Sequence, residues 1–454
     1  MQKKVPHSRI ERLSEEQAEA TILGGTEMHS TLNDRIAQVT DETLVVGIDI
    51  GSEKHYARAF TNRAIEVSRK PFSFTNSGAG FQRFGEWVEG LRTVAGKARV
   101  MVGLEPTGHY WFTLADELRR RGYELVLVAP QHVKHSKEMD DNTQRKDDRK
   151  DPGVIAKLVT EGRYLKAYRP EGVYAELRVA FTRRCEVTEQ MTRISNRIRR
   201  WFDINFPEYR EVYGTITAVS GLMVLRKAPL PKDIVALGAE GVNRIWRDAK
   251  LRAIGMKRAE TLVAVAERSI GSRHADAAAR MDLWQLLDEW ELCEKQLQAV
   301  NDLLAVLVSQ VPNADKLLAI PGVGLVTVAG FLAEVGDISR FDDPRQIQKL
   351  AGLAIVENSS GKHKGKSQIS RRGRSRLRKV LFQAAMSAVK SNAEMRAIHR
   401  YFTTREKNPL RKMQSLMAVA AKLIRVFYGI LHSGETYDPE RLLRDIRRPE
   451  TQAA

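Results

Sequence analysis

The run "LVVGIDI", residues 44–50, constrains the chain more than any other stretch. Five of its seven residues are Leu, Val or Ile, and such a short apolar run reads as a strand covered on both faces. "GSEK" then reads as a turn and "HYARAF" as a returning strand, and "EVSRKPFSF" supplies a third. "GFQRFGEWVEGLR" places Phe81, Phe84, Trp87 and Leu91 at helical spacing. "RVMVGLEP" is a fourth strand, "GHYWFTLADELRRRG" a helix stopped at Gly122, and "YELVLVAP" a fifth strand. Strands interrupted by single helices predict an α/β domain with a mixed sheet over residues 44–168. Residues 1–43 are polar and weakly patterned, and read as a flexible tail with room for a short helix.

Beyond residue 170 the period changes. Val173, Leu177, Ala180, Arg184, Val187, Met191, Ile194, Ile198 and Trp201 alternate spacings of four and three, and so do Leu283, Leu286, Trp290, Cys293, Leu297, Val300, Leu304 and Leu307. Both are heptad seams. They predict a coiled-coil connector over 169–312, with a helical insertion at about 205–280 in which no chemistry is legible. The two helices can pair within one chain, or also join protomers. Residues 313–435 read as a mostly helical C-terminal domain and 436–454 as a charged tail. The fold class is therefore α/β plus all-α.

Lys and Arg number 74 against 56 Asp and Glu, a formal net charge of +18. That excess favours a polyanionic partner, nucleic acid ahead of a membrane surface. Two cysteines, Cys185 and Cys293, exclude a disulfide framework and a four-ligand zinc site. A reducing cytoplasm fits them. The first twenty residues hold no apolar signal core. "SLMAVAAKLIRVFYGIL" is interrupted by Lys422 and Arg425, so a packed amphipathic helix is expected and no membrane partner.

"NTQRKDDRKDPGVIAKL", residues 142–158, mixes Asp147, Asp148 and Asp151 with Arg145, Lys146, Arg149 and Lys150. Asp49 sits at the centre of the first strand pattern and Glu105 at the end of the fourth. If those strands are neighbours, their carboxylates lie close together. Asp148 and Asp151, three apart, share one side of a helical first turn, where Pro152 is tolerated. Four carboxylates suit magnesium or manganese rather than zinc, and such ions stabilise attacking and leaving oxygens in phosphoryl transfer. Arg145, Lys146 and Arg149 would then hold nucleic acid. Each acid also has a plainer reading: a strand-end carboxylate bonded to turn amides, a helix cap, a partner for neighbouring cations. Their order on one α/β frame is more specific than its parts.

Three further stretches suit nucleic acid. Arg197 and Arg200 crowd the first long helix with Arg183, Arg193 and Arg199. Gly322 and Gly324 form a Pro-Gly-x-Gly turn whose amides can approach a phosphate, or an ordinary helix-helix turn. From Lys362 to Lys379 there are nine Lys or Arg and no acid, a basic loop feeding a helix. Lys362, Lys364, Lys366, Arg371, Arg372, Arg374 and Arg376 are its candidate phosphate contacts. Beside them Ser360 stands as a candidate nucleophile, with no dedicated base in sight and magnesium as the available activator. A phosphate clamp needs no serine chemistry.

"GIDIG", "GLEPTGHY" and "KDDRKDP" together resemble the RuvC-like, ribonuclease-H-fold domain of the DEDD insertion-sequence transposases. "AIPGVG", "LAEVGDISRF", "LAGLAIVENSSG" and "SQISRRGRSRLRKVLFQAA" resemble that family's C-terminal domain. The resemblance spans roughly residues 44–168 and 313–390. Pro152 stands where the family usually has Ala, Asp147 adds an acid, and Ser52 falls where members tend to carry Lys. The resemblance implies metal ligands at Asp49, Glu105, Asp148 (with Asp147 a substitute) and Asp151. It implies a catalytic serine at Ser360, with Ser359 the fallback, and a phosphoserine link to DNA. It also implies DNA ends and target as partners, a dimeric or tetrameric assembly, and, for at least some members, a structured noncoding guide RNA. Rival readings are a metal-dependent junction endonuclease using water, an actin-like ATP phosphotransferase suggested by "VGIDIGS", and a non-catalytic nucleic-acid binder.

Overall fold

The computed structural model describes residues 32–106, 108–141, 150–272, 274–357 and 367–447. The chain divides into two compact units, Met1–Ala175 with Val311–Ala454, and Glu176–Gln310.

In the first unit, helix α1 (Leu32–Gln38) precedes a meander of β1 (Thr43–Asp49), β2 (Lys54–Phe60) and β3 (Phe72–Thr75). Helix α2 (Gly78–Val94) leads to β4 (Arg99–Leu104), and α3 (Phe112–Arg120) to β5 (Glu124–Leu127). Helices α4 (Pro130–Asp141) and α5 (Asp151–Thr160) precede β6 (Leu165–Lys166). The sheet order is β3-β2-β1-β4-β5-β6. β1 pairs antiparallel with β2 and parallel with β4, and β4 parallel with β5. The parallel pairs follow from the helical crossovers, because a chain returning through a helix re-enters the sheet in the same direction. The expected third strand is cut to Phe72–Thr75, and Glu66 only bridges to Phe60.

Successive strand residues face opposite sides. Val46, Ile48, Val102 and Leu104 pack with Phe81, Phe84 and Val88 of α2 and Leu114 and Leu118 of α3. Val45, Met101 and Val126 pack with Val154, Ile155 and Val159 of α5 on the other side. β1 is thus covered on both faces, as its uninterrupted apolar run requires. Glycines let α5 lie close. A Cβ at Gly47 would overlap the Pro152 carbonyl oxygen, and one at Gly103 would meet Ile155 Cγ2 at 3.3 Å.

Helix α6 (Gly172–Asn205) carries the chain into the second unit. There α7 (Tyr209–Val212), α8 (Val219–Lys227), α9 (Pro231–Asp248) and α10 (Met256–Glu267) precede α11 (Asp276–Ser309). Arg183 bonds Gln296 at 3.0 Å, and Arg197 bonds Glu289 at 2.7 Å. Rising numbers on α6 meet falling numbers on α11, so the two helices run antiparallel. Val187, Ile194, Ile198 and Trp201 share one core with Leu283, Leu286 and Cys293, so the predicted seams meet within the chain. The insertion extends that same core, in which Trp246 is fully buried and its Nε1 donates to the Ser220 carbonyl at 2.9 Å. Gly238, with φ of 68°, kinks α9.

Back in the first unit come α12 (Ala314–Leu318), α13 (Leu325–Val335), a 3-10 turn (Ile338–Arg340) and α14 (Pro344–Leu350). A short antiparallel pair, β7 (Ile355–Val356) and β8 (Gln368–Ile369), leads to α15 (Ser375–Ser391), α16 (Ala393–Thr404), α17 (Lys412–Ser433) and α18 (Pro439–Arg447). Leu377, Val380, Leu381, Ala384 and Ala385 of α15 are buried, as their spacing predicts. α17 is long and apolar enough to cross a membrane. Its Val419, Leu423, Ile424, Phe427 and Ile430 are nonetheless buried, and Phe427 meets Phe331 of α13 at 5.1 Å between ring centroids. The α/β half touches this helical half at Tyr168, whose ring lies 3.0 Å from the Arg340 guanidinium carbon. Gly336 beneath the Tyr168 hydroxyl leaves no room for a Cβ.

Candidate active site

Asp49 is the last residue of β1 and is partly buried. The β1–β4 register runs Gly47↔Gly103 and Ile48↔Leu104. One step further, Glu105 follows the end of β4 beside Asp49. Parallel neighbours lie about 4.8 Å apart. Two residues on from Gly47, the alternation turns Asp49 towards the face covered by α5, and Glu105 follows Gly103 the same way. The carboxyl edge of parallel strands, where the connections diverge, is where α/β sheets bind ligands. The structure therefore brings these two acids together.

Asp151 opens α5 with Lys150 at the N-cap position and Pro152 in the first turn. It is 6 % exposed, and its Oδ2 is ion-paired with the Lys137 ammonium from α4. A nearly buried carboxylate needs such a partner, because an uncompensated charge out of water is costly. Asp148 lies, with Arg145, Lys146, Asp147 and Arg149, outside the described residues. Among the described residues no three His, Cys, Asp or Glu side chains are close enough to hold an ion together. Lys137 is the residue that sequence reading missed. It lies fourteen positions from its partner, on a helix that the strand-and-turn pattern did not announce.

His55 on β2 shapes the turn after Asp49. It is fully buried against Phe74 and Phe81, and its Nδ1 accepts a hydrogen bond from the Gly51 amide at 3.3 Å. Burial holds its pKa below the ordinary imidazole value, with an Asn76 hydrogen bond opposing.

The serine end divides differently. Ser359, Ser360, Lys362, Lys364 and Lys366 lie outside the described residues. Arg371 and Arg372 are exposed, and Arg376 is partly so. Arg374 corrects the expectation of a phosphate ligand. It is 2 % exposed, donates to the Glu334 carbonyl and lies 3.6 Å from the Glu334 carboxylate. Its guanidinium holds α13 to the start of α15 and is not presented to a ligand. Arg378 also bonds inward, to the Ala351 carbonyl at 3.0 Å.

In the Pro-Gly-x-Gly turn, Gly322 has φ of +87° and would press a Cβ onto Ala388 at 2.8 Å, so packing alone demands glycine there. Gly324 is exposed at the N-cap of α13, with open space around it. In the second unit Arg200 is exposed, and Arg197 shares its charge with Glu289 across the helix pair.

The comparisons with known proteins fall on both ends of this arrangement. A profile for DEDD transposases of the IS110 type matches residues 46–207. A second, described as the transposase IS116/IS110/IS902 family, matches residues 314–400. Together they match more than half of the chain. An insertion element IS900 uncharacterized 42 kDa protein of Mycobacterium paratuberculosis is 22% identical over 87% of this chain and 96% of its own length. A probable family 20 transposase of Pseudomonas aeruginosa is 25% identical over 75% of this chain and 86% of its own. A pilin gene-inverting protein of Moraxella bovis is 28% identical over 37% of this chain and 47% of its own. The chain is a DNA transposase or recombinase, an enzyme whose partner is DNA. It belongs to the IS110 family of DEDD transposases.

Proposed function

We propose that this transposase cuts and rejoins DNA at insertion-sequence ends and target through a phosphoserine link from Ser360, assisted by a divalent-metal site at Asp49, Glu105, Asp148 and Asp151. The observation that carries the reading is the pair of carboxylates, Asp49 and Glu105, at the ends of adjacent parallel strands on the face where Asp151 is buried. The strand order β3-β2-β1-β4-β5, with helices on both faces, supports a RuvC-like, ribonuclease-H-type domain at residues 44–168.

The residues present suit a divalent cation. Their donors are all carboxylate oxygens, and Asp151 already sits against a cation, the Lys137 ammonium. Magnesium or manganese held there would polarise the scissile phosphate and stabilise the charge on its oxygens. In the chain's own chemistry, the Ser360 Oγ forms a new ester to phosphorus as one deoxyribose oxygen leaves. The serine proton is released and the departing oxygen takes one up, so each P–O bond broken is replaced. Reversal with a different deoxyribose hydroxyl rejoins the strands. The basic bed from Lys362 to Arg376, without Arg374, holds the backbone.

The connector at 169–312 presents Arg200 and its neighbours to the same DNA, and the C-terminal domain at 313–435 presents Gly324. Self-association to a dimer or tetramer draws on the outer stripe of α11, where Met281, Leu292, Leu303 and Val306 are exposed. A structured guide RNA suits the same basic surfaces, since backbone contacts do not depend on base identity. The setting is cytoplasmic.

The deciding experiment traps the purified protein on a nicked suicide DNA duplex with magnesium and maps the adducted residue. A Ser360 adduct, lost in Ser360→Ala together with strand cleavage, is expected. Cleavage that survives Ser360→Ala would replace this reading with a junction endonuclease using water.

A further inference from the structure

Residues 208–313 are matched by neither family profile, and within them the corner between α9 and α10 concentrates charge. From Gly241 to Ala259 stand six cations, Arg244, Arg247, Lys250, Arg252, Lys257 and Arg258, against one acid, Asp248. All six are exposed.

Several arginines elsewhere in the same unit meet carboxylates, Arg210 with Asp203, Arg226 with Asp288 and Glu291, Arg268 with Glu211 and Arg280 with Asp233, although, among the described residues, Arg193 and Arg200 do not. At the corner that pattern stops. Arg244, Lys250, Arg252 and Lys257 form no ion pair with a described residue. Charges left uncompensated and close together repel one another, and a helix start disfavours added positive charge. Yet Lys257 and Arg258 occupy the first turn of α10, which has no acid. A polyanion brought to this corner would relieve that repulsion.

The corner is also held in shape. Trp246, Ala259 and Leu262 anchor it to the core, each fully buried. Arg247 Nη1 donates to the Leu251 carbonyl at 3.0 Å, and its Nη2 donates to the Ile254 carbonyl. Arg258 donates to the Val212 carbonyl at 2.6 Å with its guanidinium 4.9 Å from the Tyr213 ring centre. A shallow cleft lined by Glu211, Ala253, Gly255, Lys257 and Arg258 runs along it. Glu211, the cleft's carboxylate, is taken up by Arg268.

We propose that the α9–α10 corner is an auxiliary clamp for the backbone of duplex DNA, separate from the acidic site. Duplex is the occupant because the aromatic side chains at the corner, Tyr213 and Trp246, are buried. Binding of single strands relies on exposed aromatic platforms for the bases. The proposal rests on DNA as the substrate, and not on which residue attacks it.

The test compares the full-length protein with the quadruple variant Arg244→Ala, Lys250→Ala, Arg252→Ala, Lys257→Ala. Binding of a short fluorescent DNA duplex is measured across a salt series without magnesium, so neither the acids nor Ser360 enter. The variant should bind at least about tenfold more weakly at low salt. The slope of log K against log salt should become shallower by about 0.9 for each phosphate that the variant no longer neutralises. Arg244→Lys with Arg252→Lys should keep the wild-type slope, and thermal unfolding should show no loss of stability in either variant. An unchanged slope for duplex would overturn the clamp. So would a loss seen only with single-stranded RNA or only with anionic lipid vesicles.

Discussion

The sheet of the first unit and the paired helices of the second both bury aliphatic side chains, but they leave charge in different places. β1 is covered on both faces, so a carboxylate can sit only where the strand runs out of cover, and Asp49 and Glu105 do. α6 and α11 each bury one stripe, and the rest of their length stays open to water. Seven arginines are accordingly spread along α6, whereas α11 carries seven acids against Arg280 and Lys295. A doubly covered strand focuses chemistry at a point, whereas a singly covered helix distributes grip over a surface.

The strongest test of that contrast is Asp49→Asn. It should lower magnesium-dependent strand cleavage by roughly 10³-fold, the scale of a lost transition-state stabiliser, while duplex affinity stays within about twofold. Undiminished cleavage would show that the strand ends are not the chemical centre. Next in size, Leu286→Ala opens a void in the helix-pair core, where Leu286 is 1 % exposed. The cost should be about 2–5 kcal/mol. Hydrogen exchange should show α6 and α11 losing protection while β1 and β4 keep theirs. Equal loss in both would mean that the two regions do not carry their own cores.

The smallest effect is expected for Lys137→Met, which strips the ammonium from Asp151. With the lysine side chain 30% exposed, water screens part of the loss, and about 2 kcal/mol is expected rather than the full cost of breaking a buried pair. Magnesium should restore part of it in a thermal-unfolding scan. No restoration would separate Asp151 from the cation site.

Strands and long helices were legible because their periods are simple. The apolar run at 44–50 and the two heptad seams left few alternatives, and the seam residues Val187, Ile194, Leu283 and Cys293 do share a core. Less legible was α4, whose "PQHVKHSKEMDD" has no continuous apolar face, and with it Lys137 as the partner of Asp151. Arg374 was misread because a basic run looks uniform in sequence. Only the packing of α13 against α15 shows that one member turns inward to Glu334. The α9–α10 corner was passed over for the opposite reason, since its cations are interleaved with core residues such as Trp246 and Ala259.

The antiparallel pairing of α6 and α11 has a consequence for how this chain could change length. A hairpin grows or shrinks at its tip without shifting its base. The four short helices between the two long ones are such a tip, and they lie where neither family profile matches. Because the tip shares its core with the arms, with Phe202 of α6 stacked on Tyr209 of α7 at 4.2 Å between ring centroids, shortening it to a tight turn would bare apolar side chains of the long helices that then need polar replacements.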